Sequence, residues 1–300
     1  MKNKYIDNRE TISKININII ISLIPLLMFG FYKNGIKLYL NDLVNIIDMF
    51  KPLIFDILGF GIGILSSYIY ERFIIKRSIH LFKDSLNDFY PLYGLLIASI
   101  ISINTSYILF TITTFIILFI SKFFKKSTPN VVALSFLILL LIMDITKGFT
   151  FLNSFENKGV FHLEPIDYFL GMGSGGINTT CTILLVISII ILFRIIYYKK
   201  EIAIISISTY ILCIFIYGLV ASDLKLILES IFSNGLLFNL IYVAPLSMFS
   251  PCTYKGKIIY SVLIGIITFL LYLVKPELAS IGAIFVLSLS SKTLDKLVER

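Results

Sequence analysis

Ten apolar stretches, separated by short polar gaps, run through the 300 residues of this chain. Their centres lie near Leu23, Ile62, Ala98, Ile112, Ile138, Ile187, Ile211, Leu240, Ile266 and Phe285. A helix of about 20 apolar residues crosses a bilayer and forms all its backbone hydrogen bonds internally. The pattern predicts an all-α, polytopic membrane protein with about ten transmembrane helices. The polar gaps are too short for a separate domain, so we expect residues 1–300 to form a single integral membrane domain.

The basic residues are concentrated in alternate gaps between these stretches. If Met1 lies in the cytoplasm, 19 of the 26 Lys and Arg residues fall on the cytoplasmic side. The other seven are Lys33, Lys37, Lys51, Lys147, Lys158, Lys225 and Lys275. Cytoplasmic loops of membrane proteins carry an excess of Lys and Arg. The split therefore predicts an even number of crossings, with both termini in the cytoplasm.

The composition indicates that the chain is embedded in a lipid bilayer, which is its expected partner. Apolar residues make up 57% of the sequence, charged residues make up 15%, and the mean hydropathy is +0.93. The net charge of +8 lies in short loops next to apolar runs, where it sets orientation, so we expect no nucleic-acid binding. Cys181, Cys213 and Cys252 are far apart, which gives neither a metal-ligand spacing nor a disulfide framework.

Two of the apolar runs are shorter than a membrane crossing requires. The runs from Pro91 to Ile103 and from Val131 to Met143 are bounded by polar or helix-breaking residues, at Asn104-Thr105-Ser106 and at Ser127-Thr128-Pro129-Asn130. Such segments predict broken helices or re-entrant turns, which occur at membrane depth only against protein or water. Short tilted helices in locally thinned lipid are the alternative.

A weak internal repeat divides the chain into halves at 12–150 and 165–297. Tyr93-Gly94-Leu95-Leu96 in the first half corresponds to Asn234-Gly235-Leu236-Leu237 in the second, and each is followed by a polar break and two further runs. Five runs per half is an odd number, so the halves would have opposite orientations, as in inverted-repeat transporters. Chance similarity among Leu- and Ile-rich runs is the competing explanation.

Several segments resemble the D subunit of the Rnf electron-transport complex, which is related to the B subunit of the sodium-pumping quinone reductase. In chain order, the segments are Thr128-Pro129-Asn130 to Phe136, Asp167 to Gly171, Gly173-Ser174-Gly175-Gly176, Ser233-Asn234-Gly235-Leu236-Leu237-Phe238, Ser250-Pro251 and Lys255-Gly256-Lys257. They follow the order of the family, and the match spans roughly Ile12 to Leu297. We therefore interpret the chain as a divergent member of this family, and the resemblance implies a place in the bacterial inner (plasma) membrane.

The resemblance implies FMN linked by a phosphoester to a threonine. The family motif Asp-x-x-Ser/Thr-Gly-Ala-Thr corresponds here to Asp144-Ile145-Thr146-Lys147-Gly148-Phe149-Thr150. Asp144, Gly148 and Thr150 match the motif, whereas Lys147 replaces Ser/Thr and Phe149 replaces Ala. The charge pattern places Thr150 on the outer face, where the family's flavin transferase works.

A second cofactor segment precedes the sixth apolar run. Gly173, Ser174 and Gly176 lie in a glycine-rich segment that could present backbone N–H groups to a phosphate or to a second, non-covalent flavin. A plain flexible connector is the alternative.

Ion coupling is expected to differ from that of the family. The family's Asp in Thr-Asp-Pro is Leu246 here, and its Arg in the Asn-Pro-Ala run is Leu134. Acids at membrane depth are usually functional, which makes Asp56 and Glu229 candidates for a proton or sodium pathway. Which of the two ions is moved, and whether coupling survives these losses, is left open by the sequence.

Together, these features predict a membrane subunit of an Rnf-type redox-driven ion-translocating complex. It would carry flavin and pass electrons between partner subunits, with other Rnf-type membrane and peripheral subunits and a flavin transferase as partners. It would have no catalytic residues and no activity alone, and no metal site is predicted. Two alternatives remain: a flavin-less structural subunit of such a complex, or a secondary transporter of a small solute.

We expect the loops from Arg72 to Lys83 and from Lys122 to Lys126 to face the cytoplasm, because both belong to the alternate gaps in which Lys and Arg are concentrated. In a chain without its three native cysteines, Ser78→Cys and Lys125→Cys should react with an impermeant maleimide only after the cells are permeabilised. Lys158→Cys, in a gap predicted to lie outside, is the control and should react in intact cells. Labelling of Ser78→Cys from outside would contradict the topology.

Overall fold

The computed structural model describes residues 8–76, 84–124, 129–147, 165–195, 197–222, 224–246 and 248–298. Within these ranges all the regular secondary structure is helical. The α-helices are α1 (Asn8–Phe31), α2 (Lys37–Leu40), α3 (Ile46–Met49), α4 (Lys51–Ile69), α5 (Tyr90–Ile100), α6 (Tyr107–Ser121), α7 (Val131–Lys147), α8 (Pro165–Leu170), α9 (Thr182–Leu192), α10 (Lys200–Ala221), α11 (Leu224–Phe232), α12 (Leu236–Phe238), α13 (Tyr254–Tyr272) and α14 (Ala279–Val298). Five-residue π-helical segments occupy Tyr32–Ile36, Tyr70–Ile74 and Asn239–Val243, and short 3-10 turns occupy Ser85–Asn87 and Pro276–Leu278.

Five helical spans of the described chain are long and apolar enough to cross a membrane. They are Ile12–Leu40, Lys51–Ile74, Lys200–Ala221, Tyr254–Tyr272 and Pro276–Val298. Four shorter apolar helices are Tyr90–Ile100, Tyr107–Ser121, Val131–Ile145 and Thr182–Leu192. The remaining apolar stretch is divided among α11, α12 and the π-helical segment Asn239–Val243. The prediction of an all-α, polytopic membrane protein is confirmed.

The shortest helices lie where the sequence predicts breaks. Helix α5 has 11 residues, which rise about 16 Å, against the roughly 30 Å thickness of the hydrocarbon core. After α5 the chain is not helical until α6 begins at Tyr107. Local hydrogen bonds replace the helix there, because Thr105 Oγ1 donates to Ser102 O at 2.7 Å and Asn104 N donates to Ser102 Oγ at 3.3 Å. The chain is therefore not helical at Asn104 to Ser106, as the polar gap predicts, whereas a re-entrant path at membrane depth stays a prediction.

The helix that contains the apolar run from Val131 to Met143 is longer than the run itself. Helix α7 continues to Lys147 and has 17 residues, which rise about 26 Å. Asn130 caps its first turn, since its Oδ1 accepts from Val132 N at 3.1 Å and from Ala133 N at 3.2 Å. The sequence pattern underestimated this helix because Asp144 and Lys147 end the apolar run without ending the helix. The repeat of the two halves stays a prediction.

The two ends of the helical bundle carry different charges. One end, called the basic end below, is where α1, α10 and α13 begin and where α14 ends. Its described basic residues are Lys14, Arg72, Lys76, Lys122, Arg194, Lys199, Lys200, Lys255, Lys257, Lys292 and Lys296. Among the described side chains, the opposite end carries fewer: Lys33 and Lys37 after α1, Lys51 at the start of α4, and Lys275, which pairs with Asp144 at 2.9 Å. The uneven distribution of lysines along the sequence is thus also an uneven distribution in space.

A buried ion pair fastens four helical segments together at the basic end. Lys122 Nζ lies 2.5 Å from Asp88 Oδ2 and donates to Ser67 Oγ at 2.7 Å. The same ammonium group lies over the Tyr90 ring, 4.3 Å from its centroid. Asn16 of α1 donates to Asp88 O at 2.8 Å. The Lys122 side chain is only 5% exposed, so its charge depends on these contacts.

We expect Lys122→Met to destabilise the bundle by about 2 kcal/mol, less than a fully buried pair would lose because the Asp88 side chain is 25% exposed. Thermal unfolding of the purified protein in detergent measures this loss. The double variant Lys122→Met/Asp88→Asn should recover part of it, because it leaves no unpaired charge. Equal melting temperatures for the single and double variants would mean that the pairing contributes nothing.

Candidate functional site

A glycine-rich loop, Gly171–Cys181, connects α8 to α9 and packs against the C-terminal end of α5. Ile177 N donates to Ile101 O at 3.0 Å, and Asn178 N donates to Ser99 O at 3.1 Å. A helix end leaves its last carbonyls without intrahelical donors, and no water replaces those donors inside a bilayer. The loop supplies donors to this end of α5.

Two glycines allow the close approach of the loop. A Cβ on Gly176 would lie 2.6 Å from Ile100 O, so only glycine lets the loop touch the α5 backbone. On α1, a Cβ on Gly30 would lie 1.8 Å from Asn178 Oδ1 and 2.7 Å from Ile177 O. The loop is therefore wedged between the backbones of α1 and α5, without side chains as spacers.

The π-helical segment that follows α1 holds the loop from the other side. Lys33 Nζ donates to Gly173 O at 2.6 Å and to Thr180 Oγ1 at 3.1 Å, and the lysine is 3% exposed. Asn34 Nδ2 donates to Ile177 O at 2.8 Å. The wider π turn places these two consecutive side chains on the loop, and π segments of this kind often occur at functional sites.

Beneath the loop lies a buried polar centre, formed by Asp56 of α4, Ser99 of α5 and Asn178 of the loop. Asn178 Nδ2 donates to Asp56 Oδ1 at 2.8 Å and contacts Ser99 Oγ at 3.3 Å. Asp56 is 6% exposed and forms no ion pair within the described part of the chain. Its Oδ2 and the Oδ1 of Asn178 are buried and accept no hydrogen bond from any described residue. Burying a carboxyl group with an unsatisfied oxygen costs free energy. Acids in membrane-spanning segments are therefore rare and usually serve a function.

The second half of the chain reaches the same loop through its own helix break. Asn234 N donates to Ser174 O at 2.7 Å, between α11 and α12. Asn234 and Gly235 both adopt positive φ angles, 56° and 66°, which turn the chain sharply at this point. The segment Ser233-Asn234-Gly235 thus packs against one side of the glycine-rich loop.

The structure brings together two sets of residues that the sequence treats as separate candidates. Gly173, Ser174 and Gly176 belong to the loop that Asp56 holds through Asn178. The carbonyls of all three accept hydrogen bonds, from Lys33, Asn234 and Thr179 respectively. Within the described chain, the N–H groups of Gly173, Ser174, Gly175 and Gly176 form no hydrogen bond. Backbone N–H groups without an acceptor are donors that an anionic group could use, and the assignment of a flavin to this loop stays a prediction.

The remaining candidates lie elsewhere. Gly148 and Thr150 are outside the described residues. Asp144, in the last turns of α7, is half exposed and paired with Lys275 at 2.9 Å, at the end of the bundle opposite the basic end. Glu229 is exposed on α11 and is not brought to Asp56. Its role in an ion pathway stays a prediction.

Four residues of this site were not found from the sequence: Lys33, Asn34, Ser99 and Asn178. A signal for the first pair exists, since the helical span Ile12–Leu40 continues through Lys33 and places a cation within apolar sequence. The charge pattern places Lys33 among the lysines of the outer gaps, whereas the structure buries it against the loop. Ser99 and Asn178 carry no comparable signal, because their role depends on a contact between segments 79 residues apart.

The comparison with known families bears on the whole chain. The family model described as "NQR2, RnfD, RnfE family" matches residues 1–300. The chain belongs to this family. Family membership makes it a membrane subunit of an Rnf/Nqr-type complex with several subunits. No curated protein matches the chain significantly.

Within the NQR2, RnfD, RnfE family, the two departures noted in the sequence fall in apolar surroundings. Leu246 is 7% exposed and lines a small cavity together with Ile19 and Leu192, in the non-helical segment that follows the π-helical segment Asn239–Val243. Leu134 lies on α7 and lines an apolar groove against α6 together with Ile117. The local packing is consistent with leucine at both positions.

Gly30→Ala is expected to push the loop away from α1, because the new Cβ would overlap Asn178 Oδ1. Such overpacking should destabilise the protein by about 1–3 kcal/mol. It should also uncover Cys181, which is only 4% exposed at the end of the loop. The reaction of Cys181 with a maleimide, in a background with Cys213→Ser and Cys252→Ser, measures this opening.

Gly61→Ala is the matched control for this substitution. Gly61 lies on α4, and a Cβ there meets nothing within 4 Å. The control should keep the slow Cys181 reaction of the parent. If Gly30→Ala and Gly61→Ala react equally slowly, the loop is not held by its contact with α1.

Proposed function

We propose that this chain is the flavin-carrying membrane subunit of an Rnf-type electron-transport complex that couples electron transfer to the movement of Na+ or H+. The observation that carries the proposal is the family match over residues 1–300, on a bundle whose broken helices enclose a buried carboxylate. The flavin would exchange electrons with partner subunits, and the protein would position it and provide the ion path.

The proposed orientation puts the basic end in the cytoplasm of a bacterial cell, with both chain termini there. The distribution of lysines between the two ends of the bundle supports this orientation. The polar centre and the glycine-rich loop then lie towards the outer face, on the side where α7 ends. A flavin transferase working outside the cell would reach this face.

Covalent FMN on Thr150 is compatible with the described residues around it. Helix α7 ends at Lys147, so the threonine comes three residues after the helix end. Asp144, the first residue of the motif, is half exposed and held by Lys275 in an accessible position. Lys147 would offset the negative charge of the phosphodiester. FMN bound there would accept and donate electrons one or two at a time.

A second, non-covalent flavin at the glycine-rich loop is supported by the four successive N–H groups from Gly173 to Gly176. Lys33, which donates to Gly173 O, adds a positive charge beneath the same backbone. Backbone donors with a nearby cation favour a phosphate or an electron-rich ring. The loop would hold such a group by its backbone rather than by side chains.

The chain co-expressed with its flavin transferase should give a band that fluoresces under ultraviolet light in a denaturing gel. Thr150→Ala should be dark, because no hydroxyl remains for the phosphoester. Phe149→Ala should raise the flavin content if the bulky ring slows the transferase. A wild-type band without fluorescence and without the mass of FMN, in cells where another Rnf-type flavoprotein is labelled, would rule out the covalent site and leave a structural subunit.

A further inference from the structure

A cavity at the basic end lies where α9 has just ended and where α10 and α13 begin. Its volume is about 490 Å³, and its lining includes three lysines, Lys199, Lys200 and Lys257, and one acid, Glu201. The Glu201 carboxylate lies 3.7 Å from Lys257 Nζ. Lys200 is exposed and forms no ion pair with a described residue. The described lining therefore has an excess of positive charge.

The start of α10 adds to this positive charge. Lys199 is the N-cap residue of α10 and Lys200 is its first residue, and no side chain caps this end. A helix N-terminus carries the equivalent of about half a positive charge and favours acidic side chains or phosphate, so lysines are unfavourable there. Glu201, in the first turn, offsets one of the two lysine charges. At the start of α13, by contrast, Asp295 Oδ1 accepts from Thr253 N at 3.0 Å and brings a carboxylate to the helix end. The electrostatics at the start of α10 thus favour the binding of an anion.

One of the three ammonium groups is held in place by neutral oxygens. Lys199 is 8% exposed, and its Nζ donates to Ser250 O at 2.8 Å and to Ser250 Oγ at 2.9 Å. It also lies 4.0 Å from Cys252 Sγ, which belongs to the cavity lining. These contacts orient the ammonium group without balancing its charge. A cation that is already ordered lowers the entropic cost of binding a ligand.

The surface that continues from the cavity along α9 and α10 is apolar. Tyr197, in the cavity lining, is half exposed and has the amphipathic ring that is typical of the membrane interface. Helix α9 exposes Val186 and Ile190, and α10 exposes Ile204 and Leu212. A positive cavity at the end of exposed apolar helices suits an amphipathic anion, because its polar and apolar parts both find a matching surface. A free phosphate ion would match the cavity alone.

We propose that this cavity binds the phosphodiester headgroup of an anionic phospholipid, with Lys199, Lys200 and Lys257 around the phosphate and the acyl chains on the exposed apolar faces of α9 and α10. Basic pockets between membrane helices recognise such head groups. The site is separate from the glycine-rich loop and from Asp56, and it depends neither on FMN nor on ion movement.

Thermal unfolding of the purified full chain in neutral detergent micelles, titrated with phosphatidylglycerol, tests the site. A ligand that binds only the folded state raises the melting temperature in a saturable way. Phosphatidylglycerol should do so, whereas phosphatidylcholine and inorganic phosphate should not. Lys200→Gln/Lys257→Gln should raise the half-saturating fraction of phosphatidylglycerol about tenfold or more, because two lysines that attract the headgroup are lost. Lys255→Gln/Lys296→Gln is the matched control, since it removes two lysines from the same end but outside the cavity lining, and it should respond like the wild type.

Cys252 reports whether the lipid occupies the cavity itself. This residue is exposed and lines the cavity. In a background with Cys181→Ser and Cys213→Ser, phosphatidylglycerol should therefore slow the reaction of Cys252 with N-ethylmaleimide, whereas phosphatidylcholine should leave the rate unchanged. Glu201→Gln removes the acid of the lining and should lower the fraction of phosphatidylglycerol that protects the thiol.

Three outcomes would overturn the proposal. The first is equal protection of Cys252 by phosphatidylcholine, and the second is full stabilisation by inorganic phosphate alone, which would assign the cavity to a free anion. The third is an equal phosphatidylglycerol response in the wild type and in Lys200→Gln/Lys257→Gln. If the double variant does not fold, Lys200→Gln alone replaces it, because Lys200 is exposed and forms no ion pair in the described chain.

Discussion

Backbone N–H and C=O groups inside a bilayer have no water to bond, and this constraint shapes the interior of the protein. Helix α5 rises only about 16 Å before it ends at Ile100, less than the roughly 30 Å of a hydrocarbon core, and its last carbonyls must find donors. The glycine-rich loop meets this need with Ile177 N and Asn178 N. The close fit of Gly176 and Gly30 follows, because two backbones can approach so nearly only where side chains are absent. The broken helix and the loop are thus one structural unit.

That unit also explains why buried charged groups are tolerated. Asn178 holds Asp56 with the same amide that reaches Ser99, and Lys33 donates to carbonyl and hydroxyl oxygens of the loop. Buried ionisable groups cost several kcal/mol each unless hydrogen bonds compensate them. At the basic end, Lys122 and Asp88 solve the same problem with a direct ion pair. Asp56, by contrast, forms no ion pair in the described chain, and its only described hydrogen bond comes from Asn178. It is therefore the buried acid for which a role in ion movement is the better supported.

Features that depend on local pattern could be predicted from the sequence. Apolar runs and alternating lysines indicate membrane helices, and the break at Asn104 to Ser106 is visible as a polar gap. The end of α7 could not be predicted from the sequence, because a charged residue such as Asp144 ends an apolar run without ending a helix. The polar centre depends on Asn178 meeting Asp56 across 122 residues, and no spacing in the sequence encodes that contact. Asp56 itself was a candidate because an acid within an apolar run is unusual.

Redox-driven cation uptake into vesicles that hold the assembled complex tests the central claim most directly. The account predicts that electron transfer drives uptake with the wild-type chain, and that Asp56→Asn abolishes uptake while electron transfer through the complex continues. Asp48→Asn, which neutralises an exposed carboxylate on α3, should leave both rates near those of the wild type. Uptake at the wild-type rate in Asp56→Asn, at the same rate of electron transfer, would contradict the claim that ions pass through the polar centre beneath the loop.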